Sequence, residues 1–319
     1  MKLFFALIVL SSILIVQNTI KGQYSIKASG DVSDFIYENE KLYIATMQGA
    51  IDIIDLPAKK ILNQIKFEKI KDFQDNNIFP RVYSIDKLPG QNKILAVLQA
   101  TNGYQDVFLI ENKQKVKIKD AAKDRLMIKR AKFINADTVL LGLFSDEIIL
   151  WSIRNKKQIY KKQVSTSSLS DYTVDKSRKL IITCDESGAT YLISAESGET
   201  IVKFENTIKD RAFSVDYKNL VFISGGKDRK VAVYFLQGRK SYALNSVFFV
   251  LSVALSPSAQ LGAYSANENG DVVVFNIKTK KKLHTLKGEN ENISKIYFID
   301  EKQIITASNN EFIKIWKLN

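Results

Sequence analysis

The chain has 319 residues, 45% of them hydrophobic and 25% charged, a balance that excludes wholesale disorder. Four prolines and fourteen glycines, scattered along the sequence, leave no stretch suited to a long linker, so a single large domain is expected. The formal net charge is +13, but only eight of the 47 basic residues are arginine, the side chain that reads phosphate bidentately. A lysine-rich solvated surface is therefore expected, with no nucleic-acid partner.

The chain opens on Lys2 and an apolar run over residues 3–16, interrupted only by Ser11 and Ser12. As a helix this run would rise about 21 Å, short of a hydrocarbon core of roughly 30 Å. Residues 1–22 thus read as a secretory signal peptide and 23–319 as the exported, periplasmic domain. The cleavage point is weakly marked, since neither Thr19 nor Gly22 has a small residue two positions earlier. Membrane association would follow only if the segment were retained. Cys184 is the only cysteine, so no intrachain disulfide can form and the core must hold the fold alone.

After an isolated strand-like segment at Tyr24 to Lys27, one unit recurs: an apolar strand, a turn, a second strand, a polar turn, and a third strand ending in a large residue. The third strands read AIDIIDL, DVFLIE, EIILWSI, ATYLISA, VAVYFL, VVVFNI and IKIWKL, and their last large residues are Ile54, Ile110, Trp151, Ile193, Tyr234, Phe275 and Trp316. The first spacing is 56 residues and the others are 41 or 42. Short, Ile/Val/aromatic-rich segments with period-two alternation mark strands. A further strand follows each third strand but the last, and four strands per unit of this length predict propeller blades. The expected fold is all-β, a seven-bladed β-propeller. The final unit lacks its outer strand, and pairing Tyr24 to Lys27 with IKIWKL would close the ring and remove an exposed edge.

One position near the start of each innermost strand aligns across the units as Asp34, Ser84, Arg130, Asp171, Ser214, Ser252 and Lys295. A polar ring at the channel mouth could bind an extended peptide or a small anion, or could simply line a water-filled channel, where polarity is required in any case. On the binding reading, removing Arg130 or Lys295 would weaken partner capture without loss of stability. The long first spacing comes from an insertion, EKIKDFQDNNIFPR (68–81), and QATNGYQ (99–105) lengthens a later turn. These insertions place the aromatics Phe73, Phe79 and Tyr104 in loops, which carry function more often than scaffold does.

Catalytic chemistry finds little footing. His284, the only histidine, lies in an outer strand where alternate residues face solvent, and is expected to be solvated. Cys184 ends an apolar second strand and reads as a small core residue. With one His and one Cys, a metal site built on those ligands is not expected. The stretch from Asp72 loosely suggests a calcium loop, but Phe79 and Pro80 fall where an oxygen ligand and a glycine belong. Gly225-Gly226-Lys227 reads as a hairpin turn. No enzyme activity and no cofactor are expected.

The units resemble degenerate WD repeats, most clearly in LSVALSPSAQ and NGDVVVFNI of the sixth unit and IKIW at the end. The Trp-Asp and Gly-His pairs of that family are missing, so its buried Asp-His-Ser/Thr-Trp network is not expected to form. A closer resemblance, carried by KDFQDNNIFPRVYSID (71–86), NGYQDVFL (102–109), RAKFINADTVLLGLFSDEIILW (130–151), GGKDRKVAVY (225–234) and LSPSA (255–259), is to the NapL family of exported accessory proteins of periplasmic nitrate reductase systems. That resemblance implies an accessory or maturation role beside a periplasmic nitrate reductase, without bound metal and with a subunit of that enzyme as protein partner; a monomeric, non-enzymatic scaffold is expected. The alternative is an outer-membrane assembly or quinone-cofactor-type propeller. Those repeats usually number eight and carry a regular tryptophan.

Overall fold

A computed structural model describes residues 18–20, 22, 24–288 and 291–318. The expected signal segment lies outside the described residues except for its last few positions. The described chain is almost wholly β, with one helical turn at Ala121–Asp124 capped by the Asp120 carboxylate.

Seven antiparallel sheets are arranged as blades. Their innermost strands are Val32–Glu38, Val82–Lys87, Ile128–Phe133, Leu169–Val174, Ala212–Lys218, Val253–Leu255 and Ile293–Phe298. The third strands fall where the large-residue spacing predicted them, from Ala50–Asp55 to Phe312–Lys317. Tyr24–Lys27 pairs antiparallel with Phe312–Lys317, in the register Tyr24 to Ile315 and Lys27 to Phe312, and so completes blade 7. The long first spacing holds a small extra hairpin, Ile70–Lys71 against Asn77–Ile78, between blades 1 and 2.

Each sheet is apolar on both faces because each is sandwiched between two others. The buried side chains accordingly fall into seven clusters, one per blade interface. Phe35, Leu42 and Ile54 of blade 1 pack against Ile305, Ile313 and Ile26 of blade 7. Trp316 of blade 7 packs against Val272 and Val274 of blade 6, and its indole Nε1 donates to Thr306 Oγ1 at 2.8 Å. The expectation that the WD-type network is absent is thus corrected at this one pair, which lies within blade 7, while apolar side chains fill the interfaces between blades.

The N-terminal segment brings a feature that the period did not predict. Asn18–Ile20 adds a fifth strand to blade 6, parallel to Lys282–Leu286, with Asn18 opposite His284 and Ile20 opposite Leu286. Sequence alternation implied a solvated His284. In the structure His284 is half-buried, with its Nδ1 buried without a hydrogen-bond partner among the described residues and its pKa lowered by burial.

Candidate functional site

The seven aligned residues all sit at one level of the inner strands, and a β-bulge sets most of them. Register shifts fall between Val32 and Asp34, Ile128 and Arg130, Leu169 and Asp171, Ala212 and Ser214, and Ile293 and Lys295. In blade 2 the shift lies opposite Ser84, between Val97 and Leu98 of the second strand. A bulge leaves one residue unpaired, sharpens the local twist and re-aims the next side chain. Here it turns that side chain towards the neighbouring blade and the axis.

The consequence is a belt of hydrogen bonds running in one direction round the ring. Asp34 Oδ2 accepts from the Ile85 amide of the next blade at 3.0 Å, and Asp171 Oδ2 from Val215 at 3.2 Å. Ser214 Oγ accepts from Val253 at 3.3 Å, and Ser252 Oγ from Ile296 at 3.0 Å. Lys295 Nζ continues the belt by donating to the Phe35 carbonyl at 2.7 Å and to Asp34 Oδ1 at 2.6 Å. Arg130 reaches further: its Nε meets Asp171 Oδ1 at 3.0 Å and its Nη1 approaches Asp34 Oδ2 at 3.6 Å, joining blade 3 to blades 4 and 1. Ser84 is buried, and its hydroxyl has no partner.

These residues therefore come together as aligned, but most of their polar atoms are spent on one another and on neighbouring backbone. Asp34 is only 2% exposed. Burial raises its pKa, yet the charges of Lys295, Arg130 and Lys132 overcome burial and hold it at about 2. Arg130 and Lys295 are thus tied into the frame. Removing either should strand a buried carboxylate and lower the melting temperature, where a purely partner-binding pair should leave it unchanged.

A second tier lies two residues further along the same strands, on the same face by the period-two rule. Asp86 Oδ2 accepts the Phe133 amide at 2.9 Å and takes Arg178 Nη1 at 2.9 Å, with Lys132 at 3.5 Å from Oδ1. Asp216 Oδ2 accepts the Leu255 amide at 2.9 Å, and its Oδ1 pairs with Lys218 at 2.9 Å. Reading every second residue of the aligned inner strands would have found Asp86, Lys132 and Asp216. Arg178 gives no such signal, because it comes from the turn after the blade 4 inner strand. Between and below the tiers lies an axial cavity of about 220 Å³.

The inserted loops meet on one face. Phe73 is 82% exposed, and its ring edge lies over Gly103, where a Cβ would come within 3.1 Å of Phe73 Cζ; the glycine φ of +80° also disfavours any other residue. Phe79 carries the Lys69 ammonium 5.0 Å above its ring, and Tyr104 is half-buried. In the loop that resembled a calcium site, Asp72 accepts from the Gln74 and Asn76 amides, so its carboxylate serves the turn.

One buried acid stands apart from both tiers. Asp146, in the turn between the second and third strands of blade 3, is fully buried, and neither carboxylate oxygen has a partner in good geometry. Burial pushes its pKa to about 7; Ser165 offsets this in part, and repulsion from Asp185 adds to it. A folded pKa above the unfolded one means that ionised Asp146 opposes folding, so this residue contributes stability as pH falls from 7 towards 4. At about 1.4 kcal/mol per pH unit, urea unfolding at pH 5.5 should show about 2 kcal/mol more stability than at pH 8. Asp146→Asn should flatten that difference, and an unchanged pH profile in the variant would refute the assignment.

No family model matches the sequence. No curated protein matches it. Among solved structures, the β-propeller domain of Myceliophteria thermophila Cps50 (Swd1) is similar with a TM-score of 0.74, covering 93% of this chain and 99% of that one at 14% identity. An identity this low speaks to fold alone. The chain is a seven-bladed β-propeller.

Proposed function

We propose that this protein is an exported, non-enzymatic interaction scaffold that docks a protein partner on the face bearing the inter-blade loops. The supporting observation is where the exposed apolar side chains of its loops and turns lie; others, such as Ile61, Leu62, Val116, Ile159 and Ile201, are on outer strands. In every blade the inner strand begins, the second ends, the third begins and the outer ends at the same edge, because neighbouring strands are antiparallel. Phe73, Phe79, Met127, Phe144, Val247 and Phe249 all occupy loops at that edge. Leu220 is the exposed large apolar side chain in a turn at the opposite edge, among the described residues. Phe249 stacks on Phe248 with centroids 4.9 Å apart and approaches Phe213 at 6.4 Å, an aromatic group with Arg211 over it. Clustered aromatics with a nearby guanidinium have the composition of binding hot spots.

The partner in this reading is a periplasmic nitrate reductase subunit, and the role is accessory or maturation support. Its basis is the resemblance of residues 71–86, 102–109 and 130–151 to exported accessory proteins of such systems. Several of the docking aromatics fall within those segments. The test is affinity purification of the tagged full chain from the periplasm of cells respiring nitrate, with mass spectrometry of what accompanies it. A reductase subunit should be recovered with the wild type, and Phe73→Ser with Phe249→Ser should lower its yield about tenfold while leaving the melting temperature within a few degrees. Recovery unaffected by the double substitution, or no reductase subunit at all, would overturn the proposal.

A further inference from the structure

The axial cavity is walled by Arg130, Lys132, Lys218 and Lys295 together with Asp171 and Asp216. Counting charges alone, the cations nearly balance the carboxylates in and behind the wall. Their presentation is unequal. The side chains of the four cations are 17–37% exposed, whereas Asp34, Asp86, Asp171 and Asp216 are 2–17% exposed. The cause is the belt itself. Each carboxylate accepts from an amide of the next blade and is drawn into the wall, while Arg130, Lys132, Lys218 and Lys295 stay on the inner surface; Arg178, which also holds Asp86, is 13% exposed and lies outside the cavity lining.

Donors are left over. A guanidinium has five N–H groups and an ammonium three. Arg130 uses Nε and Nη1 on carboxylates, and Lys132 makes one long contact, 3.5 Å, to Asp86. The cations are also close enough to repel one another: burial lowers the Lys295 pKa, and Lys132 and Arg130 lower it further against the pull of Asp34. A low-dielectric pocket with surplus donors and mutually repelling cations favours an anion over water.

We propose that the axial cavity is a binding site for one small multivalent oxyanion of phosphate or diphosphate size, held by Arg130, Lys132, Lys218 and Lys295. Its entrance lies at the far ends of the inner strands, beside Tyr37, Lys218 and Tyr297, because Arg130 spans the axis at the other level. The site is distinct from the aromatic docking face and opens on the opposite side of the ring.

The experiment is isothermal titration of the full chain with sodium phosphate, sodium diphosphate and sodium chloride at constant ionic strength, accompanied by thermal melting. One saturable site per chain is expected, with diphosphate tighter than phosphate and chloride without effect. Lys218→Gln should weaken diphosphate about tenfold, the worth of one charge-assisted hydrogen bond. Thr173→Asp, which brings a carboxylate into the same wall, should abolish binding, and Lys157→Gln on an outer strand should change nothing. Lys218 is half-exposed, so its variant is expected to fold, and the ligand-free melting temperature verifies this. No saturable binding by the wild type, or equal affinity in the wild type, Lys218→Gln and Thr173→Asp, would overturn the proposal.

Discussion

Asp34→Ala should lower the free energy of unfolding by about 3–5 kcal/mol, the usual cost of removing one partner from a buried ion pair. The carboxylate is the hub of the belt: it holds Lys295 at 2.6 Å and Arg130 at 3.6 Å, and accepts the amides of Phe35 and Ile85. Its loss takes the acceptor from the Phe35 and Ile85 amides and leaves Lys295 with the Phe35 carbonyl and Arg130 with Asp171 as their remaining partners. Asp34→Asn keeps an acceptor but not the charge, and should fall between the wild type and the alanine variant. The sign of the pH dependence follows from the folded pKa of about 2, below the usual 3.8. Stabilisation by Asp34 is complete above about pH 4 and is lost as pH falls towards 2, amounting to about 2 kcal/mol at roughly 1.4 kcal/mol per unit. Urea denaturation at pH 7 and pH 3 measures both effects. An alanine variant with the wild-type midpoint would show that the belt does not bear on stability.

Deleting residues 23–28 should have the second large effect, because it unlatches the ring. Four residue pairs with Phe312–Lys317 disappear, and Ile26 and Ala28 leave the blade 7–blade 1 cluster. Burying an isoleucine is worth about 1.5–3 kcal/mol, but the greater damage is the new edge. An unpaired strand reading FIKIWK is a template for pairing with another copy. The deletion product should elute in the void volume on size exclusion, and Ile26→Asp should reproduce part of the defect without shortening the chain. A monomeric deletion product with wild-type melting would refute the closure.

The repeat was legible because each blade faces two neighbours. Every third strand needs buried residues on both faces, so Ile54, Tyr234 and Trp316 recur at a fixed interval and can be aligned by eye. Alignment also found the ring from Asp34 to Lys295, since a bulge shared by most units puts a polar residue at the same level. What alignment could not supply was pairing. Lys295 and Asp34 are 261 positions apart, and only ring closure makes them neighbours. Nor did the sequence mark the oxygen-to-amide bonds that turn the ring into a belt, because the amide partner has no side-chain signature. The fifth strand of blade 6 escaped for a related reason: a parallel pairing of Asn18–Ile20 with Lys282–Leu286 obeys no local alternation.

The union of Tyr24–Lys27 with Phe312–Lys317 also dictates a timetable. A polypeptide made from its N-terminus offers its first latch partner nearly three hundred residues before the other exists. Six blades can assemble as they emerge, each from local hairpins. The seventh waits for residues 312–317, and until they arrive both edges of an open arc stand unguarded. Final closure is therefore a late, entropy-limited event, and whatever holds the arc meanwhile, be it a chaperone or the unfinished chain's own solubility, governs the yield of native protein.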